Sequence, residues 1–442
     1  MMKKLVNKIF ILLAAVGLTV SCEVQEFSDL NNPEVDAFRD NLTRGDLQDL
    51  VGGVLYSTRV RLGTYFDDVG VIGREYWRFA SSDPRFTGDL LGGQEAILDN
   101  NTFYITAPWA ARYRSVKNVN LILEFLDGQD VSAQFTSAEI SATKGFLKTI
   151  KAYELLLNLN LTYQNGIRVD VADEENLGPF LSYDESLSRI RAMLDEAASD
   201  LQSGGSSYPF SLSGGFSSFG TPDSFIEVNK AIAARVAAYQ EDYPAVLNYL
   251  EDSFFELSTG NMDLGVYYTF SLDQRDVPNP MFFPVEATTA GARIVEPSFI
   301  EDAAADDNRL SKVAKRSEPL TLDGLTGDYA VFRYKSNVDD IPIIRNEELI
   351  LLYAEANIFI DPAEAIEALN VIRESAGLGP YMGTSDTDEL IEEMLRQRRY
   401  SLYAEGHRWI DVRRYDMLDQ LPIFREKDDV FVQFPIPLTE NQ

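Results

Sequence analysis

A mostly α-helical body built from successive helix pairs, interrupted by a loop-rich region with a few short strands, is what this sequence of 442 residues predicts. Three observations carry that reading. Apolar residues recur every three or four positions over long stretches, capping residues punctuate those stretches, and between about Gly260 and Asp340 the period dissolves into Pro, Gly and Asn.

Taken in chain order, the periodic stretches predict helices over Trp109 to Leu126, Ala138 to about Tyr163, Asp184 to Leu201, and Ser224 to about Tyr239. In the second, Phe146, Ile150, Tyr153, Leu157 and Leu161 share one face. In the fourth, Ala231, Ala233, Ala234, Ala237 and Ala238 allow a neighbouring helix close approach. The Gly-, Ser- and Phe-rich segment from Ser203 to Thr221 reads as a loop and a seam between regions. In the irregular region Gly265 to Phe270 alternates in the manner of a strand. Beyond it, Leu349, Leu352, Tyr353, Ala356 and Ile360 line one side of a helix over Arg345 to Ile360. Asp361 as N-cap and Pro362 in the first turn open the next helix, whose Ile366 and Leu369 face inward and which Gly377 stops. A third helix starts near Asp386 or Thr387, with Asp388 and Glu389 in its first turn, and is expected to run to Gly406. Helical repeat proteins build their cores from such pairs, although no strict 34-residue period is present.

Composition narrows the function. Lys and Arg total 39 against 70 Asp and Glu, a formal charge of −31, with one His and one Cys. A nucleic-acid partner is excluded, because phosphate backbones require a concentrated surplus of cations. One Cys forbids an intrachain disulfide and one His forbids a multi-histidine zinc site. No metal or cofactor is expected: Asp302, Asp306 and Asp307 lack the alternating spacing of a calcium loop, and no Gly-rich loop leads to a phosphate-binding Lys.

The first residues read as an export leader. Lys3, Lys4 and Lys8 precede an apolar stretch from Ile9 to Leu18 that is too short to span a bilayer, and Ser21 precedes Cys22. Residues 1–21 are the expected lipoprotein signal peptide, Cys22 the lipid-attachment residue, and 22–33 a lipidated tether. Removing the leader takes away three Lys and no acid, which carries the charge to −34. The remainder is divided into an N-terminal helical region at 34–240 and a C-terminal region at 260–442, loop-rich over 260–340 and helical over 341–415, both parts of one compact body.

Several motifs resemble those of the SusD/RagB outer-membrane lipoproteins of the Bacteroidetes. They are Ile341 through Ala356, Ala368 to Arg373 leading to Ala376-Gly-Leu378, Arg399 through Arg414 with its Tyr403-Ala-Glu-Gly-His-Arg-Trp-Ile-Asp core, and the proline-bearing end Phe434 to Gln442. Weaker echoes are Trp109 with Tyr113 and Asn120, Gly145 followed by Lys151 to Tyr153, and Asn229 to Tyr239. The resemblance implies TPR-like helix pairs. It also implies a non-catalytic protein anchored in the outer membrane and facing outward, which captures an oligosaccharide, or a peptide as in the RagB branch, for a SusC-like TonB-dependent transporter.

His407 neighbours Glu405, Arg408 and Asp411, but all lie close along the chain, so a structural turn is the better reading than a catalytic centre. Arg345, Glu347, Glu355, Arg399 and Arg408 read as a framework of ion pairs and helix-cap contacts. No spacing among the acids singles out the carboxylate pair that a glycoside hydrolase would need; a lipid-anchored hydrolase is the lesser alternative. The segment from Tyr65 to Trp109 stands out instead, gathering Tyr65, Phe66, Tyr76, Trp77, Phe79, Phe86, Tyr104 and Trp109 without sustained helical period. Between Tyr56 and Leu90, five arginines balance five acids, a neutral island in an acidic chain. Sugar rings present an apolar face of C–H groups flanked by hydroxyls, which aromatic rings and hydrogen-bonding side chains match. The expected ligand-binding residues are therefore Trp77, Tyr76, Arg74, Arg78, Tyr65 and Arg85.

Overall fold

Capping chemistry sets most helix boundaries in the computed structural model, which describes residues 41–128 and 130–441 together with Phe38. The chain divides into two units, Met1–Leu42 and Thr43–Gln442, and every element named below lies in the second. The leader, Cys22 and the tether fall outside the described residues.

Helix α1 (Arg44–Ser57) opens with a capping box between Thr43 and Asp46. After α2 (Leu62–Ile72) and strand β1 (Tyr76–Phe79), two 26-residue helices follow, α3 (Phe103–Gly128) and α4 (Ser137–Thr162). The short hairpin of β2 (Ile167–Arg168) and β3 (Phe180–Leu181) leads to α5 (Tyr183–Gln202), α6 (Pro222–Tyr239) and α7 (Tyr243–Glu251). Each of α3 to α7 packs on its predecessor. Gly145 shows how closely: a Cβ there would meet the Ala197 carbonyl of α5 at 2.7 Å, so α4 and α5 touch backbone to backbone.

The irregular region carries β4 (Gly265–Tyr268), β5 (Ala292–Val295), the short helix α8 (Ser298–Glu301), β6 (Val313–Leu322) and β7 (Leu325–Val331). It ends in β8 (Ile341–Arg345), which runs directly into α9 (Asn346–Ile360). Helices α10 (Pro362–Ser375), α11 (Thr387–Ser401) and α12 (Arg408–Arg414) complete the chain. One sheet has the order β1-β5-β7-β6, and β4 pairs antiparallel with β8. A core of Ile350, Leu351, Ala354, Leu369, Ile372, Leu390 and Met394 binds α9, α10 and α11.

The predicted helices are present, with three instructive differences. Helix α3 begins six residues before Trp109, at Phe103, and carries Pro108 within its second turn. Helix α11 stops at Ser401 instead of Gly406, since Ala404 and Gly406 adopt left-handed φ angles of 58° and 84° that turn Glu405 back onto Arg345. Helix α2 lies in the segment read as aperiodic. Ten of its eleven residues are buried, Asp67 and Asp68 among them, so its polar side chains mark no solvent face.

Candidate functional site: a phenylalanine and arginine ridge

Strand β1 forms one edge of the four-stranded sheet and pairs with β5 so that Arg78 stands opposite Arg293. Like charges in that position repel, and Asp67 of α2 resolves the conflict. Its carboxylate accepts from Arg293 Nε at 2.7 Å and Nη2 at 3.0 Å and lies 3.3 Å from Arg78 Nε. The two guanidiniums then flank the Phe283 ring, at 4.6 Å from Arg78 and 4.9 Å from Arg293. Arg78 also lies 5.2 Å from Phe86, Phe86 meets Phe103 edge to face at 5.1 Å, and Arg85 covers Phe103 at 4.7 Å. Arg85 is held by both oxygens of Asp83, at 2.7 and 2.8 Å. Phe86, Phe103 and Phe283 are half-buried and Arg85 is exposed. Together they form a ridge of alternating rings and guanidiniums reaching solvent.

Of the six expected ligand residues, only Arg78 and Arg85 lie in this ridge. The other four pack beneath it. Tyr65, Tyr76, Trp77 and Arg74 are buried and present no face to solvent, which corrects their reading as a binding platform. Tyr76 donates its hydroxyl to the Phe66 carbonyl at 2.8 Å, and Tyr65 accepts from Asn160 Nδ2 at 3.3 Å. Trp77 stacks parallel to Phe79 and meets Phe424 edge to face at 4.9 Å. Arg74 donates to backbone carbonyls, the Asp429 carbonyl at 2.6 Å among them, and burial lowers its pKa to about 10. It pins the C-terminal segment to the end of α2. Sequence reasoning missed Phe103, which follows a run of polar residues, and Phe283, which arrives from far along the chain.

The expected ion-pair framework is present in Arg345 with Glu347 and Glu405, Arg414 with Glu355, and Arg399 with Glu296 and Asp302. Arg408 departs from it: among the described residues no carboxylate reaches ion-pairing distance of its guanidinium. His407 is buried with Nε2 3.8 Å from Glu348, and burial lowers its pKa, so it is an interior residue. The Tyr113, Asn120 and Lys151 echoes meet on one cavity of about 670 Å³, where Lys151 donates to Asn120 at 2.6 Å and Tyr113 donates to the Arg168 carbonyl at 2.8 Å, tying β2 to the helices.

Glu75, directly before β1, is buried with Oε1 accepting from the Ala404 N–H at 2.9 Å, and burial pushes its pKa from 4.5 up to about 8. Below pH 4.5 both folded and unfolded chains hold this proton. As pH rises from about 4.5 to about 8 only the unfolded chain releases it, so stability drains away across that window. Glu75→Gln keeps the acceptor and removes the titration. It is expected to be more stable than the parent by up to about 5 kcal/mol at pH 9 and by less than about 1 kcal/mol at pH 5; equal melting-temperature differences at both pH values would refute this.

The fold is SusD-like. Residues 330–438 match the SusD family. A SusD-like protein of Formosa agariphila is 40% identical over 89 residues, which cover 18% of this chain and 18% of that relative's length. Over the whole chain the likeness is one of fold. A SusD superfamily protein from Bacteroides vulgatus superposes with a TM-score of 0.68 at 17% identity, covering 90% of this chain and 97% of that one. Surface glycan-binding protein A from Bacteroides thetaiotaomicron, in complex with laminarihexaose, gives 0.66 at 16% identity, covering 90% and 97%. Among the described residues no helix is long and apolar enough to cross a membrane, and no group of acids, His or Cys is placed to hold a metal.

Proposed function

We propose that this chain is an outward-facing outer-membrane lipoprotein, acylated at Cys22, that binds an oligosaccharide without turning it over and passes it to a SusC-like TonB-dependent transporter. The observation that carries the reading is the ridge of Phe283, Arg78, Phe86, Phe103 and Arg85 on a SusD-like fold. Half-exposed rings take the C–H face of a sugar, and guanidinium forks donate to its hydroxyls. The relative bound to laminarihexaose supports the ligand class.

The test is calorimetric titration with a glycan panel that includes laminarihexaose, beside Phe103→Ala and Arg85→Gln. Phe103→Ala is expected to weaken the best ligand about tenfold, the scale of one lost stacking ring, and Arg85→Gln by less, since its fork is exposed. A glycan bound equally by the parent and both variants would place the site elsewhere. Co-purification of peptides with no glycan bound would favour the RagB-type alternative. Turnover abolished by one carboxylate substitution would establish a hydrolase.

A further inference from the structure

We propose a second site, for the oxyanion of an acidic sugar, in the cavity of about 680 Å³ lined by Arg396, Arg399 and Arg408. It shares no lining residue with the ridge and stands or falls independently of it. The volume is in the range of small-ligand sites, about 300–1,000 Å³.

Arg408 carries the argument. Elsewhere the deeply set arginines end on carboxylates, as Arg235 does on Glu348 at 2.6 Å and Arg398 on Asp411 at 2.7 Å, or on carbonyls, as Arg74 and Arg413 do. The half-buried Arg408 guanidinium ends on neither among the described residues. Burial and the neighbouring charge of Arg399 oppose its own charge, and the more distant Asp411 and Glu75 offset them only in part. Arg399 is already committed, donating to Asp302 at 2.8 Å and Ser298 Oγ at 2.6 Å. Arg396 stands exposed on the rim, also without a carboxylate. A half-buried guanidinium that opens on a cavity and has no carboxylate or carbonyl of its own can take a planar carboxylate or a sulfate ester through a bidentate contact.

The rest of the wall selects a sugar over a polyanion. Glu389 and Glu392 line the same cavity with Gln420 and the Tyr381 ring, as do Glu393, which is paired with Arg373, and Asp302, which is paired with Arg399. Carboxylates repel a chain of closely spaced negative charges yet accept hydrogen bonds from hydroxyls, so a single anionic group among hydroxyls fits and a polyphosphate does not.

The full chain is titrated with a uronic-acid disaccharide, a sulfated disaccharide, inorganic sulfate and a neutral disaccharide. The expected result is binding of one or both acidic sugars, weakened by salt and reduced at least tenfold in Arg408→Gln, with any binding of the neutral disaccharide unaffected by salt and by that substitution. Should Arg408→Gln fail to fold, the rim variants decide: Arg396→Gln weakens and Glu392→Gln strengthens the acidic sugar. The uronate and sulfate arms identify which oxyanion is read. Binding of inorganic sulfate alone, no binding of either acidic sugar, or equal affinity in the parent and the arginine variants overturns the proposal. Neutral-glycan affinity at the ridge is expected to be unchanged in all three variants, which separates this site from the one proposed above.

Discussion

Trp77→Ala is expected to lower unfolding free energy by about 3–5 kcal/mol, the range for removing a large buried aromatic, with the melting temperature falling before any ligand affinity is measured. Trp77 is only 2% exposed, stacks on Phe79, meets Phe424 edge to face, and stands opposite Ile294 in the sheet. Truncation leaves a void between β1, β5 and the C-terminal segment that carries Phe424. Among the described residues the indole Nε1 has no hydrogen-bond acceptor, so Trp77→Phe loses ring volume and no polar contact, and is expected to lose no more than about 2 kcal/mol. Urea unfolding of the two variants measures both. A Trp77→Ala protein that unfolds like the parent would show that the ring is not part of the core. Any loss of glycan affinity in that variant must first be corrected for its unfolded fraction, whereas Phe103→Ala, on the half-exposed ridge, needs no such correction.

The contrast between these two rings shows where sequence reading reached and where it stopped. Local signals were legible. Asp361 followed by Pro362 opens α10, and Gly377 closes its turn with φ 77°. Glu347, Glu355 and Arg399 sit in ion pairs as their charges suggest. Signals that depend on what is packed outside the segment were not legible. Helix α2 is short and buried on nearly every side, its two aspartates included, and the aromatic cluster around it looked like a binding loop. Composition alone could not distinguish Tyr76 from Phe86, because burial is decided by a partner strand more than two hundred residues away. The same distance hid Phe283, which the sheet brings between Arg78 and Arg293. Arg408 was unreadable for the opposite reason: Glu405 and Asp411 lie near it in sequence, and the fold turns them to Arg345 and Arg398.

Glu348→Ala is expected to be at least as damaging as Trp77→Ala, because it strands a charge. Arg235, on the Ala-rich α6, donates Nε and Nη2 to the two Glu348 oxygens at 2.6 Å each and Nη2 to the Ile343 carbonyl at 2.8 Å. One guanidinium thereby joins the N-terminal helices to β8 and α9. Removing the carboxylate leaves that guanidinium buried with one carbonyl, a loss of about 3–5 kcal/mol, while Arg235→Met with Glu348→Leu together should be near neutral because neither charge then needs desolvation. Burial alone would raise the Glu348 pKa, but the charge of Arg235 outweighs it and holds the carboxyl below its ordinary value of 4.5. A depressed carboxylate contributes stability above the unfolded-state value and loses it as pH falls through the folded one. The parent should therefore lose stability below about pH 4.5 more steeply than the double variant, which has no proton to take up at this position. Denaturation midpoints compared at pH 7 and pH 3.5 read the difference, and a double variant as unstable as Glu348→Ala at both would mean that α6 and α9 depend on the charge pair itself and not on filling the space between them.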